Sequence, residues 1–133
     1  MRALHPAGWA PSKGFSNGIA AEGRQVFVAG QIGWNAQQEI VSDDFVAQVD
    51  QALRNIVEIL AEAGARPEHL VRLTWYVTDK REYLARAREV GQAYQNVIGR
   101  HFPAMTLVQV AALLEERAKV EIESTAVVPA ERG

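Results

Sequence analysis

The sequence predicts one α+β domain with a single sheet and two helices packed on one of its faces. Two stretches place apolar residues at steps of three and four, the spacing of a helix face, and several others alternate apolar with polar at a step of two. Their order is ββαβαββ, and 133 residues suffice for one domain with its own core. The 48% hydrophobic and 23% charged fractions are ordinary for a folded domain.

Residues 1–14 are rich in Pro, Gly and Ala and read as a loosely ordered lead into the domain of residues 1–133. Phe15 to Glu22 and Gln25 to Ile32 read as a β-hairpin, with Glu22-Gly23-Arg24 at its turn and Val26, Phe27 and Val28 as strong strand formers. From Asp43 to Ala63, Phe45, Val49, Ala52, Leu53, Ile56 and Leu60 share one helical face. Ser42 or Asp43 can cap its start, Gly64 suits a left-handed C-terminal residue, and Pro67 prevents continuation.

Leu70 to Thr78 is the clearest strand, with Val71, Leu73, Trp75 and Val77 on one face. Asp79 and Glu82 have capping-box spacing at the head of a second helix whose stripe is Tyr83, Ala87, Val90, Tyr94 and Val97, ended by Gly99. Thr106, Val108 and Val110 alternate with Met105, Leu107 and Gln109, and Val120 to Val128 alternates likewise, leaving Pro129 to Gly133 as a frayed tail. Two helices cover one sheet face only. The other face also carries apolar residues, which predicts symmetric self-association.

Composition excludes several function classes. A net charge of −2 without a basic stripe argues against nucleic-acid binding. The absence of cysteine removes disulfides, thiol nucleophiles and thiolate metal sites, and fits a reducing cytoplasm. His5, His69 and His101 show no metal-ligand spacing, and no apolar run approaches the roughly 20 residues of a membrane helix. No metal site and no membrane association are expected.

Five stretches in register carry a resemblance: VFVAGQIG (Val26 to Gly33), AQVDQALRNIVEILAEAGA (Ala47 to Ala65), LTWYVTD (Leu73 to Asp79), FPAMTLVQV (Phe102 to Val110) and KVEIESTAV (Lys119 to Val127). In order and spacing the chain resembles the RidA/YjgF family, also labelled endoribonuclease L-PSP, from about Phe15 to Val128. The resemblance implies a chorismate-mutase-like fold and a homotrimer whose sheets form a central barrel, with small-molecule clefts between subunits. It implies hydrolysis of enamines and imines to keto acids and ammonia, without metal or cofactor.

Carried over residue by residue, the resemblance also marks departures. The arginine that grips the substrate carboxylate is replaced by Met105, which cannot make a bidentate ion pair. A serine becomes Ala29, a tyrosine becomes Phe15, a cysteine becomes Leu107, and an asparagine of the second helix falls on Arg88. Glu121 matches the glutamate that positions water. Gly30 and Gly33 match a loop whose backbone approaches the ligand. Phe15, Ala29, Met105 and Leu107 together imply a ligand more apolar than an amino-acid imine, and Trp75 is expected in the core.

Three functions compete: a hydrolase acting on imines, enamines or related C–N bonds with Glu121 handling water; a non-catalytic trimer binding a metabolite or partner through the same clefts; and, ranked last, a ribonuclease or translation inhibitor, since paired histidines and a basic stripe are missing.

Overall fold

The computed structural model describes residues 1–130. A short ribbon pairs β1 (Arg2–Leu4) with β2 (Gly18–Ala20). The main sheet contains β3 (Arg24–Gln31), β4 (Leu70–Val77), β5 (Ala104–Gln109) and β6 (Val120–Val128) in the order β3-β6-β4-β5. Only β4 and β5 run parallel. Three helices, α1 (Phe45–Glu62), α2 (Lys80–Ala85) and α3 (Ala87–Val97), complete the domain.

The N-terminal expectations need two corrections. Part of the lead, Arg2–Leu4, is a strand, and it pairs with β2; the expected hairpin between Phe15–Glu22 and Gln25–Ile32 does not form. Instead β3 pairs with β6, and Ser16 reaches the opposite edge of the sheet. Its amide donates to Pro103 O at 3.1 Å and its hydroxyl to Phe102 O at 2.6 Å. The nine-residue alternating β6 offers β3 a longer ladder than the three-residue β2 does. Gly23 lies where β3 begins against β6, and a Cβ there would stand 2.1 Å from Val128 O. Of the expected frayed tail, Pro129 and Ala130 are exposed and irregular, and residues 131–133 lie outside the described residues.

Helix α1 lays Phe45, Val49, Ala52, Leu53, Ile56 and Leu60 on the sheet, as its periodicity requires. Its cap is Asp44 rather than Ser42 or Asp43. The Asp44 carboxylate accepts from Ala47 N at 3.0 Å, and Ser42 Oγ accepts from Asp44 N. Gly64 adopts the left-handed conformation (φ 69°) that ends the helix. Gln48, fully buried, donates to Ser42 O and Arg117 O and accepts from Lys119 N at 2.8 Å, fastening the start of α1 to the approach to β6.

The expected second helix is two helices broken at Arg86 (φ −113°, ψ 18°). The Arg86 guanidinium binds Asp44 at 2.8 Å and Glu89 at 2.7 Å, so the break is held against the cap of α1. Asp79 caps α2 by accepting from Arg81 N, while Glu82 faces Lys119 at 3.6 Å instead of closing a capping box. Leu73, Trp75, Val77, Val120, Ile122 and Ala126 form the helix-covered face of the sheet and are buried. Phe27 is 71% exposed on the other face, where Val108 is exposed among Thr74, Thr106 and Glu123.

Asp44→Ala is expected to lower stability by about 1 kcal/mol through loss of the cap, read by urea unfolding. The hydrogen bond from Arg86, then that from Ala47 N, hold the Asp44 carboxyl below its ordinary 3.8. Its stabilisation is therefore present above about that value and is lost as pH falls through the lower folded value. Asp44→Asn, which keeps a capping oxygen, should flatten this acid limb; an unchanged limb would show that the charge contributes nothing.

Candidate functional site

A cavity of about 550 Å³ opens between α3 and the β4–β5 edge of the sheet. Parallel pairing sets Met105 beside Leu73 and Leu107 beside Trp75, so both β5 side chains face the helices and reach this space. Phe15 arrives from the N-terminal segment that Ser16 pins to Phe102 and Pro103. Tyr83 lies edge-on to both Phe45 and Trp75, with centroids 6.5 Å apart in each case. Tyr94 stacks on Phe102 at 5.8 Å and its hydroxyl donates to His101 O at 2.5 Å. Burial pushes both phenols above their ordinary value, which keeps these walls uncharged at neutral pH. Among the described residues, the exposed Lys13 is the one ionic side chain on the lining.

The cavity unites Phe15, Met105 and Leu107 but not Arg88. Arg88 is exposed on α3, outside the lining, where the same helix presents Ala87 and Gly91. One residue of helix is a 100° rotation, so the step from Ala87 to Arg88 carries a side chain off the wall. Sequence reasoning missed Ala87, Gly91, Tyr83, Tyr94 and Phe102 as lining residues. Helical spacing from Ala87 to Gly91 and Gln95 was the available signal.

Ala29, Gly30 and Glu121 lie across the sheet. Val120 and Ile122 are fully buried on the helix side, so Glu121, between them, points to the open face and is half-buried. Pairing of β3 with β6 slips between Val28 and Gln31, a bulge containing Ala29 and Gly30. A Cβ on Gly30 would stand 2.0 Å from Glu121 Oε2, so the bulge is shaped around this carboxylate. Gln31 donates to Ala29 O at 3.2 Å, closing the bulge locally. Nearby, Tyr76 OH donates to Glu123 at 2.6 Å; this bond, with burial and the charges of Glu123 and Glu121, raises the Tyr76 pKa. Gly33 has a different role from Gly30. It is buried against α1, where a Cβ would stand 2.6 Å from Gln48 Cα, so it permits helix–strand packing.

Phe15, Met105 and Leu107 thus occupy one face of the sheet and Glu121 with Gly30 the other. Within one chain the two groups do not meet.

The fold and this divided arrangement define a class of small α+β domains whose sheet carries polar chemistry on its open face. The sequence model of the family described as endoribonuclease L-PSP matches residues 7–128. The chain belongs to that family, the RidA/YjgF family. It is 38% identical over 110 residues to Protein DfrA of Myxococcus xanthus, covering 79% of this chain and 77% of that protein. It is 31% identical over 105 residues to the human 2-iminobutanoate/2-iminopropanoate deaminase, covering 78% and 73% of the two chains. Among solved structures, a protein of unknown function of the conserved Rid family from Yersinia pestis superposes with a TM-score of 0.84 at 35% identity, covering 96% of this chain and 98% of that one. A YjgF/YER057c/UK114 family member from Mycobacterium tuberculosis gives 0.65 at 37% identity, covering 86% and 87%.

The two glycines generate contrasting expectations. In Gly30→Ala the obstructing atoms belong to the end of the Glu121 side chain, which can swing away, so the fold should be nearly unperturbed and Glu121 displaced. In Gly33→Ala the obstruction is helix backbone, so a loss of about 1–3 kcal/mol is expected. Thermal unfolding of both variants checks this; equal losses would refute the distinction.

Proposed function

We propose that three copies assemble so that the Glu121–Gly30 rim of one chain faces the Phe15–Met105–Leu107 cavity of its neighbour, and that each composite cleft hydrolyses a C=N bond. The observation that carries this reading is the separation of the two groups on opposite sheet faces, which a neighbouring copy resolves. In the reaction, R2C=NH and H2O give R2C=O and NH3. Glu121 accepts a hydrogen bond from the attacking water, takes its proton as the C–O bond forms, and returns it to the departing nitrogen. The Gly30 bulge holds that carboxylate in place. Relatives named as imine deaminases support the reaction class.

The loss of a cation at Met105 favours a second reading, a non-catalytic trimer that binds a metabolite or a partner in the same clefts. Both readings retain an apolar ligand, no cofactor, and a cytoplasmic setting. No helix of the described residues is long and apolar enough to cross a membrane.

Sedimentation is expected to give three chains per particle; a stable monomer would remove the shared cleft. Ammonia release from imines generated in place by an amino-acid oxidase should be accelerated by the protein. Glu121→Gln should reduce the acceleration by about 10²–10⁴-fold, the typical contribution of a general base. Full activity in Glu121→Gln would eliminate the hydrolytic role, and no activity in the unaltered protein would leave the binding reading.

A further inference from the structure

Two features of the cavity are unexplained by packing alone. The first is Trp75. Its side chain lines the cavity and is 97% buried, at 3% exposure, yet among the described residues its indole N–H has no hydrogen-bond partner. A buried donor left unpaired costs roughly 1–3 kcal/mol, and a tryptophan N–H normally finds an acceptor. The second is Gly91. It stands inside α3, where glycine costs about 1 kcal/mol relative to alanine. Its φ is not positive and no atom lies within 4 Å of the position of a Cβ, so neither backbone conformation nor crowding requires it. With Ala87 one turn earlier, it forms an exposed, uncrowded stretch of helix on the lining that Trp75 shares.

We infer that the cleft takes an uncharged ligand bearing an aromatic ring and one neutral acceptor, a carbonyl or imine, with the ring over the Ala87–Gly91 shelf and the acceptor on Trp75 Nε1. The catalytic use of this ligand rests on the shared-cleft reading above; its binding chemistry belongs to the cavity itself. The walls offer apolar and aromatic surface to a ring. They offer no buried cation to a carboxylate, since Lys13 is exposed and Met105 is neutral. A carboxylate drawn into this space would lose hydration without a buried ionic partner. A carbonyl or imine loses less and satisfies the orphaned donor. Met105, unbranched and with several rotatable bonds, is the wall residue most able to yield as the ligand reaches the N–H.

The test uses three probes on the purified protein, with its mass checked by sedimentation. Acetophenone has a ring and an acceptor. α-Methylstyrene has the same shape without the acceptor, and phenylpyruvate adds a carboxylate. Acetophenone is expected to bind roughly threefold to tenfold more tightly than α-methylstyrene, the span of one neutral hydrogen bond. Trp75→Phe should erase that preference while both still bind. Gly91→Leu should abolish binding of both, with trimer and Tm retained. Equal affinity for the two neutral probes in the unaltered protein, or binding indifferent to Gly91→Leu, would overturn the inference. So would phenylpyruvate binding best and losing that advantage in Lys13→Ala. A monomer that still shows the Trp75-dependent preference sinks the shared cleft alone; a trimer without the preference sinks this ligand class alone.

Discussion

The alternation of β6 is the constraint from which the rest of the molecule follows. The strand lies inside the sheet, bonded to β3 on one side and β4 on the other, so its register cannot slip without disrupting two ladders. Val120, Ile122 and Ala126 are completely buried beneath the helices. Their burial sends Glu121, Glu123 and Thr125 to the opposite side. A slip of one residue would exchange three apolar side chains for two carboxylates in the core, at a cost no single compensating contact could meet. The same alternation gives the sheet its division of labour: titratable groups on the open face, an apolar cavity on the covered face.

On the covered face, the neutral thioether of Met105 agrees with its surroundings. A guanidinium there would stand among Phe15, Leu107 and Trp75, with no carboxylate on the cavity lining among the described residues. Its desolvation would have to be offset by an anionic ligand. A thioether has no such requirement, so Met105, Leu107 and Phe15 act together. They make a wall that penalises a charged group drawn against it. On the open face the bulge at Ala29–Gly30 leaves room for the Glu121 carboxylate.

The parts of the fold legible in the sequence are those governed by period. The stripe from Phe45 to Leu60, the alternation from Leu73 to Val77, and the left-handed Gly64 all follow from spacing and local chemistry, whereas a register shift between Leu70 and Arg72 buries Leu70 and takes Val71 off the expected face. Pairing partners were not legible, because β3 alternates equally well against a nearby turn or a distant strand; long-range burial, not local propensity, selected β6. The break at Arg86 was hidden because Tyr83, Val90 and Tyr94 keep a common face across it, while its cause, the Arg86–Asp44 contact, joins residues 42 positions apart. At the site, resemblance marked Phe15, Met105 and Leu107, which share a cavity, but also Arg88, which a 100° helical rotation removes from it.

The proposed use of the cavity and the local stability of its walls pull in different directions. Its walls are fixed from behind: Tyr94 by its bond to His101 O and its stacking on Phe102, Phe15 by the anchored Ser16, and Trp75 by strand pairing on both sides. Walls held in this way leave the space between them open at Ala87 and Gly91, both of which are exposed. A leucine in place of Gly91 would fill it and improve helix propensity together. Gly91 therefore lowers local helix propensity with no packing contact that requires it, whereas Ala87 carries no such cost. The ligand proposed above would give that cost a use, since it occupies the space that Gly91 leaves open.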